Sequence, residues 1–393
     1  MQRKADDGAV PFFRDRRNLS ILFQVLLCAV ILALVGLAVW NAIDNLARAK
    51  IASGFGFWNV TAGFDISQTL ISYSAQTSTY GRAFWVGLLN TLLVSVLGIV
   101  FATILGFLIG IGRLSHNWLL AHLAAAYVET IRNIPLLLQL LFWYNAVLKA
   151  LPELRDSHVL IGGVYLSNRG LYVPKPIFGQ DTWFVLAAFF AGLVASVVFV
   201  HLARRHRERT GQRWPIAVVV TALIVGLPLL LLAATGIPIT FDAPHMGRFN
   251  ISGGIEILPE FIALLFGLAI YTAAFIAEAV RAGILAVAKG QTEAALALGL
   301  RPSLALRLIV IPQAMRVIIP PLTNQYLNLT KNSSLAVAIG YPDFVQIFTG
   351  TVLNQTGQAV EIVLLTMAVY LAISLVTSLA MNVYNARIAL TER

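Results

Sequence analysis

The sequence predicts an all-α polytopic membrane protein with about eight transmembrane helices. Of its 393 residues, 58% are hydrophobic and only 12% are charged, whereas soluble domains carry roughly a quarter charged residues. A water-facing surface with so few charges would be poorly solvated, and a lipid-facing surface avoids that cost. The hydrophobic residues are also gathered into runs of the ~20 residues that a helix needs to cross the hydrocarbon layer.

Each predicted span is an apolar run bounded by charged or turn-forming residues. In chain order, the runs are Ser20 to Trp40, Phe84 to Gly112, Tyr127 to Leu148, Trp183 to His201, Ile216 to Thr235, Phe261 to Gly283, a stretch within Val310 to Gly340, and Ile362 to Asn382. The first run is too long for a signal-peptide core, so we expect an uncleaved anchor. Prolines interrupt the seventh run, and residues 115–126 form a predicted interfacial helix ahead of the third.

The distribution of Lys and Arg predicts the orientation of these spans. Eight spans put both termini on one side, and that side would carry twice as many Lys and Arg residues as the other. Positively charged loops stay in the cytoplasm, so we expect cytoplasmic termini. The run from His201 to Arg213, with five arginines, is the strongest anchor. The net charge of +10 therefore reflects membrane orientation rather than a nucleic-acid-binding face.

The segment between the sixth and seventh spans predicts a short cytoplasmic helix from Glu293 to Leu298. Thr292 can cap the start of this helix, and the carboxylate of Glu293 suits the positive end of the helix dipole. Gly299 can adopt the left-handed conformation that ends a helix. Pro302 suits the first turn of the next helix.

The apolar side chains of this short helix need a cover. A groove on a partner protein can bury them, and the membrane surface can also do so if the helix is only a connector. Physical chemistry alone leaves both interpretations open. The side chains concerned are Ala294, Ala295, Leu296 and Leu298.

The spacing around this helix resembles the EAA loop of ABC importer permeases. Glu293-Ala294-Ala295 is followed after three intervening residues by Gly299, and after nine further intervening residues come Ile309 and then Ile311-Pro312. The family pattern ends in Leu-Pro, so Ile311 is a mild departure. The resemblance implies the five-helix ABC importer permease core, with this loop as the coupling helix that docks into an ATP-hydrolysing subunit. It assigns that coupling to Glu293, Ala294, Ala295, Gly299, Ile309 and Pro312.

Further segments resemble the polar amino-acid branch of that family, close to a general L-amino-acid permease subunit with eight spans. The similarity covers roughly residues 82–150 and 255–390. It implies an N-terminal part at 1–80, with the cytoplasmic terminus, anchor and periplasmic loop. The permease domain then occupies 81–393, with a two-span insert at about 183–236 and the coupling loop at about 284–312. The segments are Glu129 to Pro135, Glu278 to Ile284, Lys289 to Gln291, Pro312 to Arg316 and Lys331 to Leu335.

The resemblance also implies the partners and the energy source. The chain has no phosphate-binding loop motif and no histidine spacing typical of a metal site, so we expect it to bind neither ATP nor a metal. The implied partners are ABC ATPase subunits that use ATP and Mg, a related second permease and a periplasmic amino-acid-binding protein. The implied protein is a transporter subunit of the bacterial inner membrane rather than an enzyme. It would translocate L-amino acids.

An ion-gradient-driven secondary amino-acid transporter is the alternative function. Such transporters are built from inverted repeats and carry ionisable groups near the bilayer midplane. The predicted spans hold almost no carboxylate near their centres, and that class would leave the EAA pattern unexplained.

Two acid–base pairs lie near the ends of predicted spans. Glu129 and Arg132 are three residues apart, as are Glu278 and Arg281, so each pair shares one helix face. These pairs could form a gate or a brace for the coupling helix. Alternatively, they could only neutralise each other at the membrane interface, where ion pairs contribute little.

A polar stretch follows the proline-interrupted part of the seventh span. Interrupted helices often line substrate paths, and a lysine there could pair with the carboxylate of an amino acid. The alternative is that these groups only satisfy backbone atoms freed by the prolines. The candidates are Asn328, Lys331, Asn332, Ser333 and Ser334, with Asn133 and Gln139 as weaker companions.

Overall fold

The computed structural model describes residues 16–48, 53–160, 163–177, 182–212, 214–235, 240–247 and 250–388. The helices in these ranges are α1 (Arg16–Arg48), α2 (Tyr80–Gly112), α3 (Trp118–Asn133), α4 (Leu136–Leu141), α5 (Thr182–Thr210), α6 (Ile216–Thr221), α7 (Leu227–Thr235), α8 (Pro259–Leu285), α9 (Lys289–Ala297), α10 (Pro302–Ala305), α11 (Ile311–Asn332), α12 (Leu353–Thr356) and α13 (Ala359–Ile388).

Wider π-helical turns extend or join several of these helices. Phe142–Leu148 continues α4, Ala222–Gly226 joins α6 to α7, Leu306–Val310 joins α10 to α11, and Gln346–Val352 leads into α12. Because of these turns, α6 and α7 together form a single apolar span from Ile216 to Ala234.

Short antiparallel strands lie in the segments on either side of the α5–α7 hairpin. The larger sheet has the order β1-β2-β3-β8, and two further pairs are β4-β5 and β6-β7. In the larger sheet, Tyr172 lies opposite Glu256 and donates its hydroxyl proton to the Glu256 carboxylate at 2.9 Å. The strands are β1 (His158–Leu160), β2 (Val164–Ser167), β3 (Gly170–Val173), β4 (Lys175–Ile177), β5 (Thr240–Asp242), β6 (His245–Met246), β7 (Ile251–Ser252) and β8 (Ile255–Ile257).

The prediction of about eight spans is confirmed, with one change in their form. Within the described residues, 7 helices are long and apolar enough to cross a membrane, and α3 with α4 makes an eighth if the pair is one broken span. That pair bends by 105°, so the predictions of a continuous span from Tyr127 to Leu148 and a separate interfacial helix at 115–126 are wrong. Pro135 lacks an amide proton and biases Ile134 towards extended backbone, observed at φ −98° and ψ 127°.

The chain folds into two compact units. The first contains residues up to Ile99 and from Ala279 onward, and the second contains Val100–Glu278. In the first unit, a Cβ atom on Gly98 would lie 3.1 Å from the Leu329 side chain, so a glycine lets α2 and α11 pack closely. The aromatic core of the same unit includes Phe57, Phe344 and Phe348, all buried.

The second unit is held by close packing of α2 and α8. A Cβ atom on Gly106 would lie 2.6 Å from the Ile276 side chain and 3.0 Å from the Ala273 carbonyl oxygen. On α8, a Cβ atom on Gly267 would lie 2.4 Å from Leu140. These glycines allow helices to approach closely through van der Waals contact, which drives helix association within a membrane.

Candidate coupling helix and polar sites

The predicted short helix exists, but it begins earlier than the sequence pattern indicated. It is α9, Lys289–Ala297, and the residue ahead of it is Ala288, which makes no side-chain capping bond. The prediction that Thr292 caps the helix and that Glu293 lies in its first turn is therefore wrong. The first turn is closed by a backbone hydrogen bond, in which the amide of Gln291 donates to the Ala288 carbonyl oxygen at 3.0 Å. The helix therefore starts on backbone bonding, without a capping side chain.

The end of α9 has the predicted geometry. Gly299 adopts a left-handed conformation with φ +76°. The Gly299 amide donates to the Leu296 carbonyl at 2.9 Å, and the Leu300 amide donates to the Ala295 carbonyl at 3.1 Å. This pair of bonds is the Schellman motif. Pro302 then lies in the first turn of α10, as predicted.

The helix α9 fully buries one side chain and exposes most of the others. Ala295 is buried, with 1% of its surface exposed, whereas Glu293 and Ala294 are exposed. Leu298, at the end of the helix, is 82% exposed. Such exposure of a leucine is unfavourable in water, so this side chain needs a cover, which either a partner protein or the membrane surface can supply.

The remaining predicted coupling residues lie next to α9. Ile309 is half-buried in the turn that joins α10 to α11, and Pro312 is exposed at the start of α11. The Gln313 side-chain amide donates to the Gln291 side chain at 3.3 Å and ties α11 to α9. A cavity of about 550 Å³ adjoins this region, and its lining includes Ile284, Val287, Glu293, Pro302, Leu306 and Val310.

Glu129 and Arg132 form no ion pair within 4 Å in the described part of the chain. The Arg132 guanidinium instead lies over the Phe275 ring, 5.0 Å from its centroid. The interpretation of this pair as mutually neutralising charges is therefore wrong. An aromatic face attracts a cation through its quadrupole, and the sequence spacing alone cannot show that a ring on another helix competes with the nearby carboxylate.

Glu278 has an ion-pair partner that helix spacing did not indicate. Arg113, the residue after α2, pairs with it through Nη1 and Oε2, and only 13% of the Arg113 side chain is exposed. Both residues lie near the ends of predicted spans on the same side of the membrane. That shared position is the sequence feature from which their ion pair could have been predicted. Arg281, the partner predicted from helix spacing, is half-buried three residues further along α8.

The two serines of the predicted substrate path bond to their own backbone. Ser333 donates to the Thr330 carbonyl and Ser334 donates to the Lys331 carbonyl, both at 2.7 Å. These bonds support the alternative in which hydroxyl groups satisfy backbone atoms at the end of α11. Asn328 and Lys331 are exposed, and Asn332 is half-buried.

Gln139 closes the break between α3 and α4. Its side-chain amide donates to the carbonyl oxygens of Ile131 and Ile134, both at 2.9 Å. The helix break leaves these carbonyls without backbone amide donors. The side chain of Gln139, which is 5% exposed, provides the missing donor. Asn133 is exposed and donates to the Glu129 carbonyl at 2.7 Å.

A buried carboxylate in the first unit was not predicted from the sequence. Asp343 lies between the last two candidate spans and is fully buried. Its carboxylate accepts hydrogen bonds from the Gln346 amide at 2.8 Å and from the Tyr370 hydroxyl at 3.0 Å. Burial raises the pKa of Asp343 to about 7, against the lowering effect of these hydrogen bonds. Asp343 lies between two spans and just after Pro342, so the neighbouring residues in the sequence do not indicate that its side chain is buried.

Among the described residues, no group of three or more His, Cys, Asp and Glu side chains has the geometry of a metal site.

Comparison with known proteins places the chain in a family. Residues 210–390 match the family described as binding-protein-dependent transport system inner membrane component. The general L-amino acid transport system permease protein AapQ of Rhizobium johnstonii is 54% identical over 379 residues, which cover 96% of this chain and 94% of that protein. This chain belongs to that permease family. It is therefore a multi-pass inner-membrane permease subunit of an ABC transporter, and not an enzyme.

Another member of this permease family is similar over nearly the whole chain, and a solved structure is similar over part of it. The glutamate/glutamine/aspartate/asparagine transport system permease protein BztB of Rhodobacter capsulatus is 42% identical over 417 residues, covering 96% of each chain. A crystal structure of an amino acid ABC transporter with histidines is 22% identical, covers 78% of this chain and 95% of its own, and has a TM-score of 0.47.

Proposed function

We propose that this permease carries L-amino acids across the bacterial inner membrane and that ATP hydrolysis by partner subunits drives the transport. Similarity along nearly the whole chain to a general L-amino acid permease supports this substrate class. The relatives are permeases of ABC transporters, and none of them supports the alternative of ion-gradient-driven transport.

The surface of α9 is the coupling contact in this proposal. The exposed side chain of Leu298, together with Glu293 and Ala294, docks into a groove of the ATPase, while buried Ala295 holds the helix on the permease. The Schellman motif at Gly299 ends the helix at a defined point, so movement of the ATPase is transmitted to α10 and α11. Ile309 and Pro312 lie where α11 receives that movement.

The partners follow from this mode of action. Two ATPase subunits bind ATP and Mg, a related second permease completes the membrane pore, and a periplasmic binding protein delivers the amino acid. Within the pore, exposed Asn328 and Lys331 are the candidates for contact with substrate. The Arg113–Glu278 pair, with Arg281 nearby on α8, acts as a brace.

The orientation of the chain is part of the proposal. Cytoplasmic termini place α9 in the cytoplasm, where the ATPase subunits bind, and the excess of positive charge on that side supports this. Some of the cations counted, such as those at 1–15, 213 and 389–393, lie outside the described residues. The same proposal divides the chain into 1–80 and 81–393, with an insert at about 183–236 that adds two crossings and leaves this orientation unchanged.

Transport by the reconstituted complex tests the function. We expect uptake of a radiolabelled L-amino acid into proteoliposomes to need ATP and Mg on the ATPase side and to persist when the proton gradient is collapsed. Leu298→Asp should reduce uptake at least tenfold. Val60→Asp, at an exposed site in another loop, is the matched control. Uptake that continues without ATP but stops with the proton gradient would contradict the proposal.

A further inference from the structure

The hairpin of α5 with α6 and α7 contains a groove that neither coupling nor the substrate path uses. The two arms cross where a Cβ atom on Gly192 would lie 2.2 Å from the Leu223 carbonyl oxygen, so their backbones touch there. Towards the C-terminal end of α5, an open groove of about 440 Å³ separates them. Its lining is mainly aliphatic and includes Leu193, Val197, Val200, His201, Val220 and Ile224.

The α5 side of this groove is a single helix face that runs into positive charge. Its lining residues recur at intervals of three and four, at positions 193, 196, 197, 200 and 201. Arg207, seven residues after Val200, continues that face, whereas Arg209 points roughly to the opposite side of the helix. Both arginines are exposed, and in the described part of the chain neither lies within 4 Å of a carboxylate.

A stack of aromatic rings lies at the charged end of the groove. The Trp214 ring stacks on His206 with centroids 4.6 Å apart and on Phe199 at 5.6 Å. This stack holds the turn after α5 against the helix. Because tryptophan prefers the level of the lipid headgroups, we infer that Arg207 lies at the height of lipid phosphates and that the groove extends into the hydrocarbon layer.

We propose that this groove binds one acyl chain of an anionic phospholipid whose headgroup pairs with Arg207. The aliphatic wall suits an acyl chain, and the unpaired guanidinium suits a headgroup with a net negative charge. A zwitterionic lipid fills the same groove but gains less from the arginine. If the arginines served only to orient the chain, Arg207 and Arg209 would contribute equally to lipid binding.

Lipid titration of the assembled transporter tests this site. The full chain with its partner subunits is delipidated in detergent and titrated with phosphatidylglycerol or phosphatidylcholine, and bound lipid is counted by native mass spectrometry. We expect at least about fivefold tighter binding of phosphatidylglycerol. Arg207→Gln should remove most of that preference, while Arg207→Lys should keep it.

Two further variants separate the groove from general surface charge. Arg209→Gln removes an equal charge on the other helix face and should change phosphatidylglycerol affinity less than twofold. Val200→Phe fills the groove without a change in charge and should weaken both lipids. Equal binding of the two lipids by the unchanged chain would overturn the proposal, as would equal losses in Arg207→Gln and Arg209→Gln. Gel filtration of each complex confirms that assembly is intact.

Discussion

The amide of Leu300 donates a hydrogen bond to the carbonyl oxygen of Ala295, and this 3.1 Å contact closes α9 across the left-handed residue Gly299. Ala295 is also the one fully buried residue of α9. One residue therefore both anchors the helix and defines its end, so the exposed surface that we propose for coupling keeps a fixed direction.

Replacing Gly299 should weaken coupling through backbone strain alone. A Cβ atom there would meet no atom within 4 Å, but a left-handed conformation costs an L-residue about 1–2 kcal/mol. We expect Gly299→Ala to lower ATP-driven uptake several-fold, as measured in proteoliposomes. Gly290→Ala is the matched control, because that site is inside α9, is also open, and favours alanine. Equal losses in both variants would contradict the role of the left-handed turn.

Breaking the Arg113–Glu278 pair should destabilise the second unit. Both side chains are mostly buried, with 13% and 27% exposed, and an unpaired buried charge is costly. Arg113→Glu and Glu278→Arg should each lower the melting temperature in detergent. The double variant should recover part of that loss, because it restores opposite charges. If the loss in the double variant equalled the sum of the two single losses, the two side chains would have no interaction energy.

Local chemistry explains which parts of the candidate site were predictable. Gly299 and Pro302 follow conformational rules that depend on neighbours in the chain, so their roles at the end of α9 and the start of α10 could be predicted. The start of α9 could not, because backbone bonding at Ala288 replaced the side-chain cap expected at Thr292. A helix can start without a capping side chain, so the position of a capping residue such as Thr292 does not by itself predict where a helix begins.

Long-range contacts explain what the sequence left unassigned. The apolar runs predicted the number of spans, since hydrocarbon thickness sets their length. Glu278 pairs with Arg113, and Arg132 lies over the ring of Phe275. Both partners are far away in the sequence, so residue spacing on one helix could not identify them. The burial of Asp343 likewise depends on Tyr370 in another helix.

The bend between α3 and α4 should depend on Gln139. Gln139→Leu removes the side-chain amide that donates to the Ile131 and Ile134 carbonyls, and a backbone carbonyl that loses its hydrogen bond destabilises the fold. We expect a lower melting temperature, measured by thermal unfolding of the purified chain. Asn133→Ala, at an exposed amide in the same bend, should have a much smaller effect. Similar effects from the two substitutions would contradict this role for Gln139.

The pH dependence of stability should change when Asp343 cannot ionise. Because burial raises its pKa from 3.8 to about 7, the folded chain keeps a proton that the unfolded chain loses. Stability from this group is therefore present below about pH 4 and is lost as the pH rises through about 7. Asp343→Asn should flatten that decline in melting temperature.

An exposed carboxylate provides the control for this measurement. Asp156→Asn removes a charge from a surface position in the second unit, so it tests whether loss of any carboxylate has the same effect. A decline between pH 4 and 7 that is unchanged in Asp343→Asn would contradict the assignment of a buried, protonated carboxyl group.

Site-specific crosslinking tests the coupling contact most directly. Cys28 is the only cysteine, so Leu298→Cys in a Cys28→Ser background gives one reactive thiol on a side chain that is 82% exposed. We predict that a short bifunctional reagent joins this thiol to the ATPase subunit in intact membranes, whereas Val60→Cys in the same background does not react with that subunit. A Leu298→Cys thiol that reacts only with lipid-soluble reagents, or only from outside the cell, would contradict the account.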